Sequence, residues 1–239
     1  MGRLSSHYRE LPPPPHLAAS VACLWVREVE HAGTQLVLPD GCIDLVASGG
    51  EIRVAGPDTG PVLAPLRAGD TVVGLRFRPG AAPAVLGWPA SELRDRRLSL
   101  EDLWGRRGAL EPSLPALIAA VARRDAPPPD PIVQAAVGEL ARGRRVGDLP
   151  AHLHLSERQL RRRFHAAIGY GPKALARVLR LHRMLALAPT AGDNLARLAA
   201  EAGYADHAHM ASETARLTGL PPRTLLDGRF AQAGLELAA

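Results

Sequence analysis

The sequence predicts an α+β protein built from two domains: a β-rich sheet or barrel over residues 1–125, and an all-α domain over residues 132–239. A proline-rich linker at 126–131 separates them. Three observations carry this division. Short β-like runs separated by turn residues lie between residues 35 and 77. Beyond the linker, apolar residues recur at spacings of three and four. The balance of charge changes at the same place.

The first ten residues are polar and lack the apolar centre of a secretory signal, so the default compartment is the cytosol. Pro12 to Pro15 read as a lead-in loop, because too little chain precedes them to fold alone. The β-like runs are residues 35–38, 42–46, 51–54 and 71–77. Pro39-Asp-Gly41 and Ser48-Gly-Gly50 supply turns, since glycine takes positive φ without a side-chain clash. The period then shifts, and residues 81–86, 100–104 and 114–123 read as helices. Ala126-Pro-Pro-Pro-Asp-Pro131 favours an extended spacer. About seven short helices follow, broken at Gly143, Gly147, Gly169, Pro189, Gly203 and Gly219.

Composition excludes several classes. With 46% hydrophobic and 22% charged residues, the chain has the make-up of a globular domain pair. No apolar run approaches the roughly 18 residues of a membrane span. Cys23 and Cys42 are too few for a disulfide framework and lack zinc-ligand spacing, so buried thiols are the plain reading and a sensing pair the sharper one. The formal charge of +5 is unevenly placed. Residues 1–129 hold 14 Arg and 14 acids, whereas 130–239 hold 15 basic residues and 10 acids. Within 142–183 eleven basic residues face only Asp148 and Glu157, which is the electrostatic footprint of a polyanion partner.

The most specific segment runs from Val146 to Gly169. Leu149, Leu153 and Leu155 mark a short helix and turn. Ser156 then opens a second helix with Gln159 three residues on, the pattern of a capping box. Leu160, Phe164 and Ile168 recur every four residues and form its core stripe. The opposite face carries Arg158, Arg161, Arg162 and His165, with Glu157 at the positive N-terminal end. An arginine fork pairs bidentately with guanine or clamps a phosphate, and a helix fits the major groove. A long helix over 172–187 follows, and the stretch from Leu195 to Pro222 repeats the helix, turn and helix plan with Asp206 as N-cap.

These motifs resemble AraC-type transcriptional regulators over roughly residues 130–230. The resemblance rests on Leu155-Ser-Glu-Arg-Gln-Leu-Arg-Arg-Arg-Phe164 with the following Gly-x-Gly-Pro-Lys, on Arg180-Leu181, and on Ala199-x-x-Ala-Gly-Tyr-x-Asp-x-Ala-His209 ending in Thr-Gly-Leu-Pro-Pro222. It implies two helix-turn-helix units joined by a long helix, their recognition helices entering double-stranded DNA about 34 Å apart. It also implies base contacts from Arg158, Arg161 and Arg162 on the first helix and from His207, Ala208, His209 and Ser212 on the second. Arginine is usual in the family where this chain has Ser212, and an aromatic where it has Thr214. The first unit is therefore expected to supply most specificity. A metal pair of His207 and His209 is disfavoured, because an i,i+2 spacing points the rings apart on a helix. No metal and no cofactor are expected.

The N-terminal segments Leu38-Pro-Asp-Gly-Cys-Ile-Asp-Leu45, Val54-Ala-Gly-Pro57 and Gly74-Leu-Arg-Phe-Arg-Pro-Gly-Ala81 resemble the uncharacterised cupin-like sensor domain fused to some AraC-type regulators. That resemblance implies an unknown small-molecule effector or a homodimer. Asp40, Cys42, Asp44, Arg76 and Arg78 are the polar candidates, with Asp40-Gly41 also explained as turn architecture. Rival readings are a DNA-repair methyl acceptor, for which two cysteines cannot build the four-cysteine zinc site, and a nonspecific architectural DNA binder. A third has the protein acting through a protein contact such as RNA polymerase, with DNA as platform.

Overall fold

The computed structural model describes residues 6–105, 110–191 and 194–227. The parts of the expected domains at 1–5, 106–109, 192–193 and 228–239 lie outside the described residues. The N-terminal half holds strands β1 (Ser6–Leu11), β2 (Val21–Val29), β3 (Gly33–Val37), β4 (Asp44–Ser48), β5 (Glu51–Ala55), β6 (Val62–Leu66), β7 (Thr71–Phe77) and β8 (Arg97–Ser99). Six of them form one antiparallel sheet in the order β1-β2-β7-β4-β5-β8, and β3 pairs with β6 in a separate ribbon. Helices α1 (Ala82–Leu86), α2 (Ala90–Leu93), α3 (Leu100–Trp104) and α4 (Leu114–Ala122) complete the domain.

Strand alternation gives the large sheet two different faces. Leu24, Leu45, Val54, Leu75 and Phe77 share a core with Val85, Leu93, Leu100 and Leu117 of the helices. Full burial of each such side chain contributes about 1.5–3 kcal/mol. The intervening residues Trp25, Arg27, Asp44 and Arg76 belong to the other face, which borders a cavity also lined by the β3–β6 ribbon. β1, β2, β6, β8 and α2 go beyond the sequence expectation. β2 hides because most of it is buried on both faces, which erases the alternation a half-exposed strand shows.

The C-terminal half contains α5 (Pro131–Ala141), α6 (Leu149–His152), α7 (Glu157–Ala167), α8 (Pro172–Ala191), α9 (Leu195–Ala202), α10 (His207–Thr218) and α11 (Pro222–Leu226). Asp130 caps α5 by accepting from the Ile132 backbone N–H at 2.9 Å, so Pro131 begins a helix rather than ending a linker. Pro189 does not break α8, contrary to expectation. A proline this late removes one backbone hydrogen bond from the final turns, and the helix continues for two residues.

α8 is the shared wall of two cores. Its first half gives Leu175 and Leu179 to a cluster with Val133, Leu160 and Phe164. Its second half gives Leu181 and Met184 to a cluster with Leu198, Met210 and Leu217. Leu36 and Leu38 from the N-terminal domain join that second cluster, so the domains are docked as well as tethered. Polar ties cross the seam: Gln134 Nε2 donates to Pro79 O at 2.8 Å, Arg94 Nη1 donates to Gly169 O at 3.2 Å, and His182 Nε2 meets Pro39 O at 2.6 Å. Gly169, at φ +94°, is where the chain leaves α7, and a Cβ there would come within 2.7 Å of Pro57.

Candidate functional site

α7 begins with both halves of the capping box. The Gln159 backbone N–H donates to Ser156 Oγ at 3.2 Å, and the Ser156 N–H donates to Gln159 Oε1 at 2.9 Å. Leu160, Phe164 and Ile168 are buried at 2%, 0% and 1% exposure, which turns the other face outward. Arg158, Arg161 and Arg162 are exposed there, beside half-buried His165. None of these three arginines makes an ion pair with a described residue. The neighbouring Arg163 differs, because it turns back to pair with Asp130 and holds α7 against the start of α5.

α10 is built differently. Its N-cap Asp206 accepts from the His209 N–H at 2.7 Å. His207, Ala208 and Ser212 are exposed. His209 is not free to read a base edge: its Nδ1 accepts from the Ala205 N–H at 3.2 Å, and its Nε2 faces Glu213 Oε1 at 3.2 Å. Glu213 is buried and also meets Arg177 at 3.4 Å and Arg180 at 3.3 Å, both on α8. Thr214 is fully buried and donates to Met184 Sδ at 3.7 Å. A charge clamp thus fixes α10 to α8, while the outward face of α10 is nearly uncharged at the positions named from sequence.

The second feature is a cavity of about 550 Å³ between the large sheet and the β3–β6 ribbon. Asp40, Asp44 and Arg76, three of the five polar candidates, line it together. Arg76 Nε is 3.4 Å from Asp40 and 3.2 Å from Asp44, and its Nη1 is 3.5 Å from Glu10. Burial holds the Asp44 carboxyl above its usual range even with Arg76 beside it. Cys42 and Arg78 are structural instead. The Cys42 N–H donates to Asp40 Oδ1 at 2.8 Å, closing the turn, and Arg78 Nε donates to Ala18 O at 2.8 Å. Burial pushes the Cys23 thiol up to about 12 and Cys42 well above the ordinary thiol value. Both are protonated at neutral pH, the opposite of a reactive thiolate.

Sequence reasoning missed Tyr8, Trp25 and His182, which also line the cavity. Trp25 pairs in register with Gly74, where a Cβ would come within 2.1 Å of the indole. The missing side chain lets the ring cross β7 and donate from Nε1 to Asp44 at 3.0 Å. His182 brings α8 to the cavity wall. Among the described residues no group of three or more His, Cys, Asp or Glu is placed to hold a metal ion. No described helix is long and apolar enough to cross a membrane.

Residues 9–99 match the family model described as a domain of unknown function (DUF6597), and residues 149–228 match one described as a helix-turn-helix domain. Comparison with curated proteins gives no match. Among solved structures, the chain is similar to ToxT from Vibrio cholerae in its 1.65 Å form, at 11% identity and a TM-score of 0.42, covering 95% of this chain and 98% of that one. It is also similar to unsaturated fatty acid bound wild-type ToxT from strain SCE256, at 11% identity and a TM-score of 0.41, covering 95% and 97%.

Proposed function

We propose that this chain, with its match to DUF6597 ahead of its helix-turn-helix domain, is an AraC-type transcription regulator that binds a specific double-stranded operator and is modulated by a small molecule in its N-terminal domain. The observation that carries the reading is the outward face of α7. Arg158, Arg161 and Arg162 stand exposed, without acid partners among the described residues, on a helix whose start is rigidly capped. Unpaired guanidiniums on a helix of groove-fitting diameter supply bidentate base contacts and phosphate clamps. α10 places His207, Ala208 and Ser212 as the second, weaker reading surface, and His165 flanks the first. The cavity holding Asp40, Asp44 and Arg76 is the effector site of this reading. It is a cytoplasmic regulator without a catalytic step, acting as a homodimer and through contact with RNA polymerase.

The test is selection of bound fragments from a random DNA library by the full chain, at low and moderate salt. An enriched motif spanning about two helical turns, lost in Arg161→Ala or Arg162→Ala, is the expected result. Binding that merely fades with salt and enriches no motif would instead establish a nonspecific architectural protein.

A further inference from the structure

We infer that Lys173 and Arg177 of α8 are a third DNA contact, a pair of phosphate-binding cations between the two helix-turn-helix units, and that Arg177 brings to α10 the positive charge its own outward face lacks. The inference deepens the operator reading and rests on it. α8 carries Lys173, Arg177, Arg180 and Arg183 and no Asp or Glu, whereas a solvated helix face interleaves both signs. Two of these cations are occupied by the fold. Arg180 donates from Nη1 to Gly203 O at 3.1 Å and lies 5.2 Å from the Tyr204 ring centroid. Arg183 donates to the carbonyls of Ala141 and Ala202, the residues that end α5 and α9. The other two are not so occupied. Lys173 is exposed and has no ion pair among the described residues. It sits in the first turn of α8, where a cation opposes the helix dipole, so it does not serve the helix it belongs to.

Arg177 is placed by Glu213. Its Nε meets Glu213 Oε1 at 3.4 Å, and neither Nη hydrogen-bonds to a described residue. The same Oε1 is met by His209 Nε2 at 3.2 Å. His209 stands in the first turn of α10 amid exposed His207, Ala208 and Ser212, so the guanidinium ends beside the surface that α10 presents. Arg177 and Arg180 set two positive charges against the single carboxylate of Glu213, and one remains uncompensated even before His209 is counted. Glu213 is buried, whereas the Arg177 side chain is 41% exposed, so the surplus is presented outward. A guanidinium held at Nε keeps its Nη groups for the oxygens of a phosphate. Lys173 and Arg177 are four residues apart on α8 and therefore share one side of it. Leu175 and Leu179 turn the helix into the core under α7, and Val178 and Leu181 into the core under α10, which leaves that side facing out between the units.

The experiment measures the affinity of the full chain for its selected site, and for a random-sequence duplex of the same length, across a range of salt concentrations. Arg177→Ala and Lys173→Ala are each expected to make the slope of log affinity against log salt shallower by about 0.9. The change should be the same on both duplexes, with base preference kept, since phosphate contacts carry no sequence information. Arg177→Lys retains the charge and should retain the slope. Glu213→Gln separates contact from clamping: it loosens the same clamp but frees the guanidinium, so its slope should equal or exceed that of the wild-type chain. Should that variant fail a thermal melt, Glu213→Asp, which draws the acid back from Arg177, takes its place. An unchanged slope in Arg177→Ala or in Lys173→Ala would overturn the pair. A loss of slope in the Glu213 variant as large as in Arg177→Ala would mean that Arg177 acts only through Glu213, and would overturn it equally. Because the slope is also read on random-sequence DNA, failure of the operator reading shows separately, as a selection that enriches no motif.

Discussion

The helices α7 and α10 of this protein share a capped, amphipathic plan and spend their polar side chains differently. α7 keeps its cations on the outside: three exposed arginines face solvent, and only Arg163 is spent on the scaffold. α10 does the reverse. Its buried acid, Glu213, is clamped by Arg177 and Arg180 of α8 and by its own His209, while His207, Ala208 and Ser212 are left to face outward. A helix-turn-helix unit therefore need not be a reading head merely because its backbone is right. On the proposed reading, a unit whose polar side chains are committed to holding the helix in place contributes position and shape, and one whose side chains are left unpaired contributes discrimination.

The largest expected difference between the units lies in their cores. Phe164→Ala removes a fully buried ring from the cluster under α7 and is expected to cost about 3–5 kcal/mol. The corresponding inward position on α10 is Thr214, whose hydroxyl donates to the Met184 sulfur at 3.7 Å. Thr214→Val removes that hydroxyl at similar volume and should cost about 0.5–1.5 kcal/mol, the net contribution of one hydrogen bond. Chemical denaturation of both variants checks this; an equal loss in the two would mean the cores are not separately specified.

Next in size is the effect on DNA. Arg162→Ala should cost about 1–3 kcal/mol at one base pair of the selected site and relax preference there. His207→Ala should weaken binding by a few tenths of a kcal/mol, evenly across sequences, because an exposed neutral ring makes at most an ordinary hydrogen bond. Competition assays against single-base variants of the operator distinguish the two patterns. If His207→Ala relaxed specificity as much as Arg162→Ala, the division of labour would be wrong.

How much of this was legible in the sequence depended on whether the signal was local. The start of α7 was readable because a capping box needs only Ser156 and Gln159, three residues apart. The expected runs at 71–77 and 100–104 coincide with β7 and α3, where turns and period lie side by side in the chain. Asp40, Asp44 and Arg76 were found from their motifs, and their convergence on one cavity wall came from the β4–β7 register. What stayed hidden depends on distant partners. Nothing near Trp25 announces that Gly74 will clear space for its indole, and nothing near His182 announces Pro39. Likewise the commitment of His209 to Ala205 and Glu213 can be seen only once the helix is closed. Arg78 read as a site candidate beside Arg76, yet β7 ends at Phe77, and the guanidinium just past the strand donates to the Ala18 carbonyl instead.

The smallest and sharpest test restores charge to α10. Ser212 is exposed, so Ser212→Arg has room to place a guanidinium where the second helix meets DNA. Two effects oppose each other. A new cation near the backbone adds about one unit to the slope of log affinity against log salt and tightens binding at low salt. The added charge also stands four residues from Arg216 on the same helix, a like-charge spacing that costs a few tenths of a kcal/mol. Contact with a phosphate outweighs that repulsion, so the variant should bind more tightly at low salt and converge on wild type as salt rises. Anisotropy titrations at several salt concentrations read the slope directly. A steeper slope with unchanged base preference means α10 lies against DNA and lacks only charge, as its clamped geometry implies. An unchanged slope would mean that α10 does not reach the phosphates, leaving α7 to hold the operator alone.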